Sequence, residues 1–294
     1  MNRKKILGII GGSGLYDIEG LVNKKWVKVN SIFGEPSDEI LFAELDDLEI
    51  RFLPRHGRGH LLTPSEINYK ANIEALKKIG VTEIISISAV GSLREDYVPG
   101  DFVLVDQFVD RTHSRKSTFF QNGLVAHVSM AHPVCSRNGS HILEAAKHES
   151  IKIHEKGTYI VMEGPQFSTK AESEIYRKWE CDVIGMTNMP EAKLAREAEI
   201  CYTSVAMVTD FDCWHPNHEN VTVDAIIKVL TANAANAKKL IKRFVPFFLN
   251  DNNSENCTCK KALDNAIITS PGMRSKEVMD KLSSILTRLN NNSN

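Results

Sequence analysis

The stretch Ser204-Val205-Ala206-Met207-Val208 runs without a charged residue into Thr209-Asp210-Phe211-Asp212. A run of this length and composition suits a buried strand. Parallel α/β sheets gather ligands beyond the carboxyl ends of their strands. Residues i and i+2 of an extended chain share a face, so Asp210 and Asp212 are expected to point together into one site. Two carboxylates there can grip an amino-bearing ring, hold a metal, or divide acid and base work. The bland alternative is a turn opened by two solvated acids.

Other segments supply an α/β frame. Strand patterns occupy residues 5–10, 81–92, 100–110 and 181–187, and one more starts at 157 and ends in a loop. Helical spacing covers 63–80, 141–150, 168–179 with Thr169 as a cap, and a polar-faced stretch at 190–199. A long amphipathic helix is expected over 221–245 and ended by Pro246, and a last one over 275–289. Residues 126–130 form a strand or a loop that presents His127, and 290–294 are expected to be disordered. No repeat or linker divides residues 1–294, so a single domain is expected. At 294 residues the chain buries roughly 75% of its unfolded surface and needs no staples.

Charge excludes several partners. With 36 basic and 37 acidic residues and no long basic block, nucleic acid and anionic membranes are poor fits. The basic start resembles a signal peptide, but Gly11-Gly12-Ser13-Gly14 interrupts a short apolar run. No apolar run approaches the ~20 residues of a membrane span, so a cytoplasmic protein is expected. Six scattered cysteines fit reduced thiols. Cys257-Thr258-Cys259 is the one close pair, with no second Cys or His cluster beside it in sequence, so no metal site is expected.

Three stretches carry candidate chemistry. Gly12-Ser13-Gly14 follows a strand but has Asp17 where a dinucleotide fingerprint needs a third glycine. A phosphate site with Ser13 donating its hydroxyl fits better, against the alternative of a tight turn. Arg55-His56-Gly57-Arg58 lies in a cation-rich loop, either an anion site or a solvated basic loop. The strand at 81–92 ends in small residues, which allow a ligand close to the backbone. Phe167, after a Gly-Pro turn, can stack on a flat base or pack in a core.

Taken in order, several segments resemble one family. They are Gly8-Ile-Ile-Gly-Gly-Ser-Gly-Leu15, Arg55-His-Gly-Arg58, Asn68-Tyr-Lys-Ala-Asn72, Gly91-Ser-Leu-Arg-Glu95, Asp106-Gln-Phe108, Asp110-Arg-Thr112, Glu163-Gly-Pro-Gln-Phe167, Met186-Thr187, Pro190-Glu191 and Thr209-Asp-Phe-Asp-Cys-Trp214. In this order they are similar to the trimeric purine nucleoside phosphorylases. The resemblance implies a central mixed sheet, partly closed into a barrel and flanked by helices. It implies a homotrimer, or a dimer of trimers, with sites near subunit interfaces. The implied reaction is phosphorolysis, in which phosphate displaces adenine from 5′-methylthioadenosine. Phosphate is a co-substrate, and no cofactor is implied.

By position, the resemblance assigns Ser13, Arg55, His56, Ser88, Ala89 and Thr187 to phosphate. It places Met186 at the ribose, Phe167 against the purine, and Val223 and Ile226 near the methylthio group. His127 is the residue lent by a neighbouring subunit. Asp210 is the general acid and base contact, with Asp212 as its partner. An acid at 210 argues for a 6-amino purine, because family members for 6-oxopurines tend to carry Asn there. The rivals are a 6-oxopurine or methylthioinosine phosphorylase of the same fold, a metal-dependent nucleotide-sugar glycosyltransferase, and a nucleoside-binding protein without activity. The Cys257-Thr258-Cys259 pair resembles one near the end of some prokaryotic members, for which disulfide chemistry has been proposed.

Overall fold

The computed structural model of the chain describes residues 5–12, 14–216 and 223–291, with the side chains of 223–226 and 291 outside that description. The first half supplies β1 (Ile6–Gly11), β2 (Val22–Val27), β3 (Ile40–Leu45), β4 (Leu48–Pro54), α1 (Tyr69–Lys78), β5 (Glu83–Ser92), β6 (Phe102–Val105) and β7 (Gln107–Asp110). The second half adds α2 (Ser136–His148), β8 (Ile153–His154), β9 (Thr158–Val161), α3 (Lys170–Lys178), β10 (Val183–Gly185), α4 (Asn188–Glu197), β11 (Cys201–Asp210), α5 (Val223–Leu249), α6 (Lys276–Lys281) and α7 (Thr287–Asn291). All eleven strands join one mixed sheet.

The sheet is organised around β5. Along one side β11 runs parallel to it, from Cys201 beside Glu83 to Asp210 beside Gly91. The other side is shared. There β1 pairs with Glu83 to Ser86, and antiparallel β10 pairs with Gly91 and Ser92. Between them Ile87, Ser88, Ala89 and Val90 have no ladder partner on that side, so the sheet parts. It also closes on itself. β6 pairs with β11, β7 pairs with β9, and only Asp106 separates β6 from β7. β5, β11, β6, β7, β9 and β10 therefore form a ring, the partial barrel that the family resemblance implies.

That ring breaks the single strand expected over 100–110. At Asp106 the chain trades one neighbour for another. Its N–H donates to the Gly157 carbonyl at 3.2 Å, and its carboxylate accepts the Gly157 N–H at 3.0 Å.

Alternate side chains of the central strands face opposite ways. Ile9, Ile85, Val205 and Met207 pack with Ile142 of α2 and Leu240 and Phe244 of α5. Ile10, Ile84, Ala206 and Val208 pack with Ile73 and Leu76 of α1 and Leu194 and Ala195 of α4. Burial on both faces accounts for the apolar run at 205–208.

Several helix boundaries differ from the periodicity. α1 begins at Tyr69, because Thr63 closes a local turn on the Glu66 carboxylate and Asn68 caps the helix. α3 agrees, with Thr169 and Glu172 in a reciprocal capping box. α4 is not polar-faced: Glu191 and Glu197 are both buried. Pro246 does not end α5, which continues to Leu249. Phe244, Val245 and Phe248 hold that turn in the core, while the Lys5 ammonium donates to the Phe248 carbonyl at 2.8 Å and the Leu249 carbonyl at 3.1 Å. The expected last helix is two short ones, and Asn290 and Asn291 belong to α7; residues 292–294 lie outside the described set. No helix among the described residues is long and apolar enough to cross a membrane.

Candidate active site

The parting of the sheet opens a cavity of about 500 Å³ at the carboxyl ends of β1, β4, β5 and β11. Sites for small organic ligands fall in this size range. Ile87, Ser88, Ala89, Val90 and Gly91, the unpaired stretch and its neighbour, form one wall. Arg55, His56, Ser88, Ala89, Phe167, Met186, Thr187, Asp210 and Asp212, separated by up to 157 positions (212 − 55), all line it as the sequence predicts. Ser13 lies outside the described residues, next to Gly12, which lines the cavity. The side chains of Val223 and Ile226 also lie outside; further along α5, Leu230 and Ala234 contribute an apolar wall. His127 is exposed and is not among the lining residues. Its backbone N–H donates to the Ala266 carbonyl at 2.9 Å.

A register shift between Val208 and Asp210 breaks the ladder with β5 where β11 reaches the cavity. Such a bulge re-aims the side chains that follow. Asp210 Oδ2 accepts the Thr209 hydroxyl at 2.7 Å, and Oδ1 accepts the Asp212 N–H at 2.8 Å. Burial pushes the Asp210 carboxyl above the usual carboxylate range, although both hydrogen bonds oppose this; the nearby Asp212 charge adds to the rise. Asp212 does not share its face by strand alternation, as expected, because its φ is +50° and the strand has already ended. Its carboxyl is also held up by burial, and it faces Ser173 and the Cys213 thiol.

Gly91 is what makes room for Asp210. A Cβ there would stand 2.9 Å from Asp210 Oδ1 and 3.2 Å from Ile184 Cγ2.

Arg55 is almost fully buried and committed to the fold. Nε donates to Glu191 Oε2 at 2.8 Å, and Nη1 to the Ile87 carbonyl at 2.9 Å. Nη2 donates to Ser86 Oγ at 2.6 Å and Glu191 Oε1 at 3.0 Å. A guanidinium has five N–H groups. One on Nε, one on Nη1 and two on Nη2 are thus engaged, which leaves a single Nη1 N–H on a residue that lines the cavity. Burial works against its charge, and Glu191 more than offsets this. The basic loop is therefore not a solvated one at this position.

Apart from Glu191, the polar groups nearest Arg55 on the cavity wall are neutral. Burial lowers His56 to about 4. Its Nδ1 lies 2.9 Å from the Leu62 carbonyl and donates to it, so Nε2 carries a lone pair at neutral pH. The Ser88 hydroxyl is buried with no hydrogen-bond partner among the described residues. Thr187 caps α4 without using its side chain for the cap. Tyr159, fully buried, places its hydroxyl beside Ser88 and Thr187, yet it too meets no hydrogen-bond geometry. A buried orphan hydroxyl on a cavity wall, as at Ser88, requires an explanation, and a ligand oxygen supplies one. Tyr159 has no local signal in its apolar strand; His60, stacked 4.2 Å from His56, was visible only as part of the cation-rich loop.

Among the described residues, Asp210 and Asp212 belong to no group of three or more metal-ligating side chains.

Comparison with known proteins agrees with this geometry. A family model described as the phosphorylase superfamily matches residues 6–246. An S-methyl-5′-thioadenosine phosphorylase of Rhodospirillum rubrum is 56% identical over 293 residues, covering 98% of each chain. One from Hyperthermus butylicus is 47% identical, covering 90% of this chain and 96% of its own. A methylthioadenosine phosphorylase from an antarctic soil metagenomic library superposes with a TM-score of 0.90 at 49% identity, covering 96% of this chain and 99% of that one. The methylthioadenosine phosphorylase of Schistosoma mansoni in complex with adenine gives 0.84 at 35% identity, covering 90% and 99%. The chain belongs to the phosphorylase superfamily and, within it, to the S-methyl-5′-thioadenosine phosphorylase family.

Proposed function

We propose that the chain catalyses phosphorolysis of S-methyl-5′-thioadenosine, giving adenine and S-methyl-5-thioribose 1-phosphate. One observation carries the assignment of roles: a buried carboxyl held above its usual range shares a cavity with the unpartnered Ser88 hydroxyl and a buried arginine. Adenine leaves readily only when its ring gains a proton. Asp210 gives that proton to N7, and its carboxylate accepts from the 6-amino group. The glycosidic bond breaks with its electron pair going to the base, and positive charge builds on the ribose. A phosphate oxygen then bonds to the anomeric carbon.

Phosphate is held by Arg55 Nη1–H, Ser88, Thr187, the Ala89 N–H and Ser13. Neutral His56 accepts the P–OH proton of hydrogen phosphate at Nε2. The fold supplies little net cationic charge here, because Glu191 neutralises Arg55. Neutral donors in a desolvated site do the work that charge does elsewhere. Phe167, half exposed at the cavity, supplies a face for the purine. Met186 lies at the ribose, and Leu230 and Ala234 extend the apolar surface that suits a methylthio group. His127, exposed and apart from its own chain's cavity, serves the site of a neighbouring copy in a trimer. No cofactor is needed.

Incubation with S-methyl-5′-thioadenosine with and without phosphate, followed by chromatography of free adenine, tests the reaction. Adenine is expected only when phosphate is present, and more slowly released hypoxanthine from methylthioinosine in competition. Adenine released equally without phosphate makes the enzyme a hydrolase; faster methylthioinosine cleavage makes it a 6-oxopurine enzyme.

Gly91→Ala tests the cavity wall. The added methyl collides with the Asp210 carboxyl, and misplacing a reacting group by about 1 Å costs on the order of 10²-fold in rate. Steady-state kinetics are expected to show that loss in kcat/KM. A rate equal to the parent's would mean that Asp210 does not need its present position.

A further inference from the structure

We infer that Cys135, Cys201, Cys257 and Cys259 form a structural zinc site. In sequence these residues lie up to 124 positions apart (259 − 135), and only two are close. In the fold their four sulfur atoms all lie within 4.8 Å of one another, three of the residues buried and one half-buried. Cys135 Sγ and Cys257 Sγ are 3.6 Å apart. Zinc binds thiolates at about 2.3 Å in a tetrahedron, which sets sulfurs roughly 3.8 Å from each other. The spacing matches ligands around a shared ion, and all six cysteines are free thiols. A disulfide needs about 2.05 Å.

The cluster's setting favours a closed, non-catalytic centre. Cys201 opens β11 and Asp210 closes it, so the thiols lie roughly 30 Å along the strand from the candidate acid. Four protein sulfurs leave no open position for substrate. Cys135 stands at the N-cap of α2 but makes no side-chain cap, and its N–H donates to the Tyr202 carbonyl at 2.8 Å. The thiol is positioned by backbone and left uncommitted. Cys257 and Cys259 belong to a stretch after α5 with only short 3-10 turns. A metal there pins that irregular segment to the starts of α2 and β11.

Cationic donors are also provided. Binding a divalent ion releases four thiol protons and leaves a centre of net charge −2. Arg137 Nη2 lies 3.7 Å from Cys201 Sγ, as a donor to a ligating sulfur would. Lys260 follows Cys259, and Arg196 acts electrostatically on Cys259. The facing carboxylates, Glu83 and Asp251, are themselves paired: Glu83 with Arg137 at 2.7 Å and Lys260 at 3.6 Å, and Asp251 with Arg137. Lys260 also pairs with Glu255 at 3.2 Å, so three cations stand against three carboxylates and place their donors, not a surplus of charge, beside the dianionic centre.

The test uses the full chain, produced in zinc-supplemented medium and purified under mild reductant. Elemental analysis is expected to give one zinc per chain, with six thiols titrating after denaturation in chelator. Replacing zinc by cobalt should give the intense red-region d–d bands and near-ultraviolet charge transfer of a tetrahedral tetrathiolate. Cys259→Ser is expected to lose the ion to dialysis that the parent withstands, while Cys181→Ser keeps it. Where Cys259→Ser fails to fold, titrating the parent with a mercurial reagent should release zinc stoichiometrically to a chromogenic chelator. Zinc at background, iron in its place, or thiols that appear only after reduction of disulfides would each overturn the assignment.

Discussion

Asp210→Asn is expected to lower kcat/KM for S-methyl-5′-thioadenosine by about 10²–10⁴-fold, the usual contribution of a positioned proton donor. The amide keeps the shape of the side chain but holds no transferable proton. It also presents a donor where the 6-amino group needs an acceptor, so the ratio of 6-oxopurine to 6-aminopurine turnover should rise. The pH profile gives a second readout. Burial raises the Asp210 pKa, so the active acid form persists further up the pH scale than for an exposed aspartate. In the parent, kcat/KM is therefore expected to fall as pH rises through the raised Asp210 pKa, and to fall again on the acid side as His56 gains its proton at about 4. The Asn variant should lose the alkaline limb. Asp212→Asn should cost much less, since its carboxyl faces Ser173 and Cys213 and its backbone N–H to Asp210 survives the change. Asn also tolerates the left-handed backbone at that position. Parental kinetics and an unchanged pH profile in Asp210→Asn would remove it from the chemistry.

Most of the site was legible because its residues are strand ends and turns. An apolar run that stops at an acid marks both a buried strand and the place where a parallel sheet meets ligand. What the sequence hid was depth. Arg55 reads as a loop cation, but its contacts to Glu191, Ser86 and two carbonyls make it part of the core. Glu191 lies in a helix whose polar residues suggest a solvated face, and only the packing of α4 against α1 and β11 shows otherwise. Strand alternation predicts a shared face for Asp210 and Asp212, and it fails once φ turns positive at Asp212. The cysteines show the same limit more sharply. Proximity in sequence found one pair, while the paths of β11 and the segment after α5 brought four thiols together.

Glu191→Ala is expected to destabilise the fold by about 3–5 kcal/mol, the cost of leaving a buried charge without its partner. For a chain of this size that is on the order of 10 °C in Tm. Glu191 Oε1 accepts from Ser86 at 2.7 Å and Tyr202 at 2.8 Å as well as from Arg55, so its loss orphans three buried donors. Differential scanning calorimetry or a urea midpoint reads the effect. The double change Arg55→Met with Glu191→Leu should recover only part of the stability, because no buried charge is left unpaired but the Ser86 and Tyr202 hydroxyls and the Ile87 carbonyl still lose their partner. It should not recover activity, since the Nη1 N–H and the brace on the Ile87 carbonyl are both gone. Ile87 begins the unpaired stretch of β5, and Arg55 donates to its carbonyl where no strand does. The pair thus braces the gap in the sheet beside the proposed phosphate site. Glu191→Ala with parental Tm would show that solvent reaches the Arg55 guanidinium, and Arg55 would then be a free phosphate clamp instead of a member of the core.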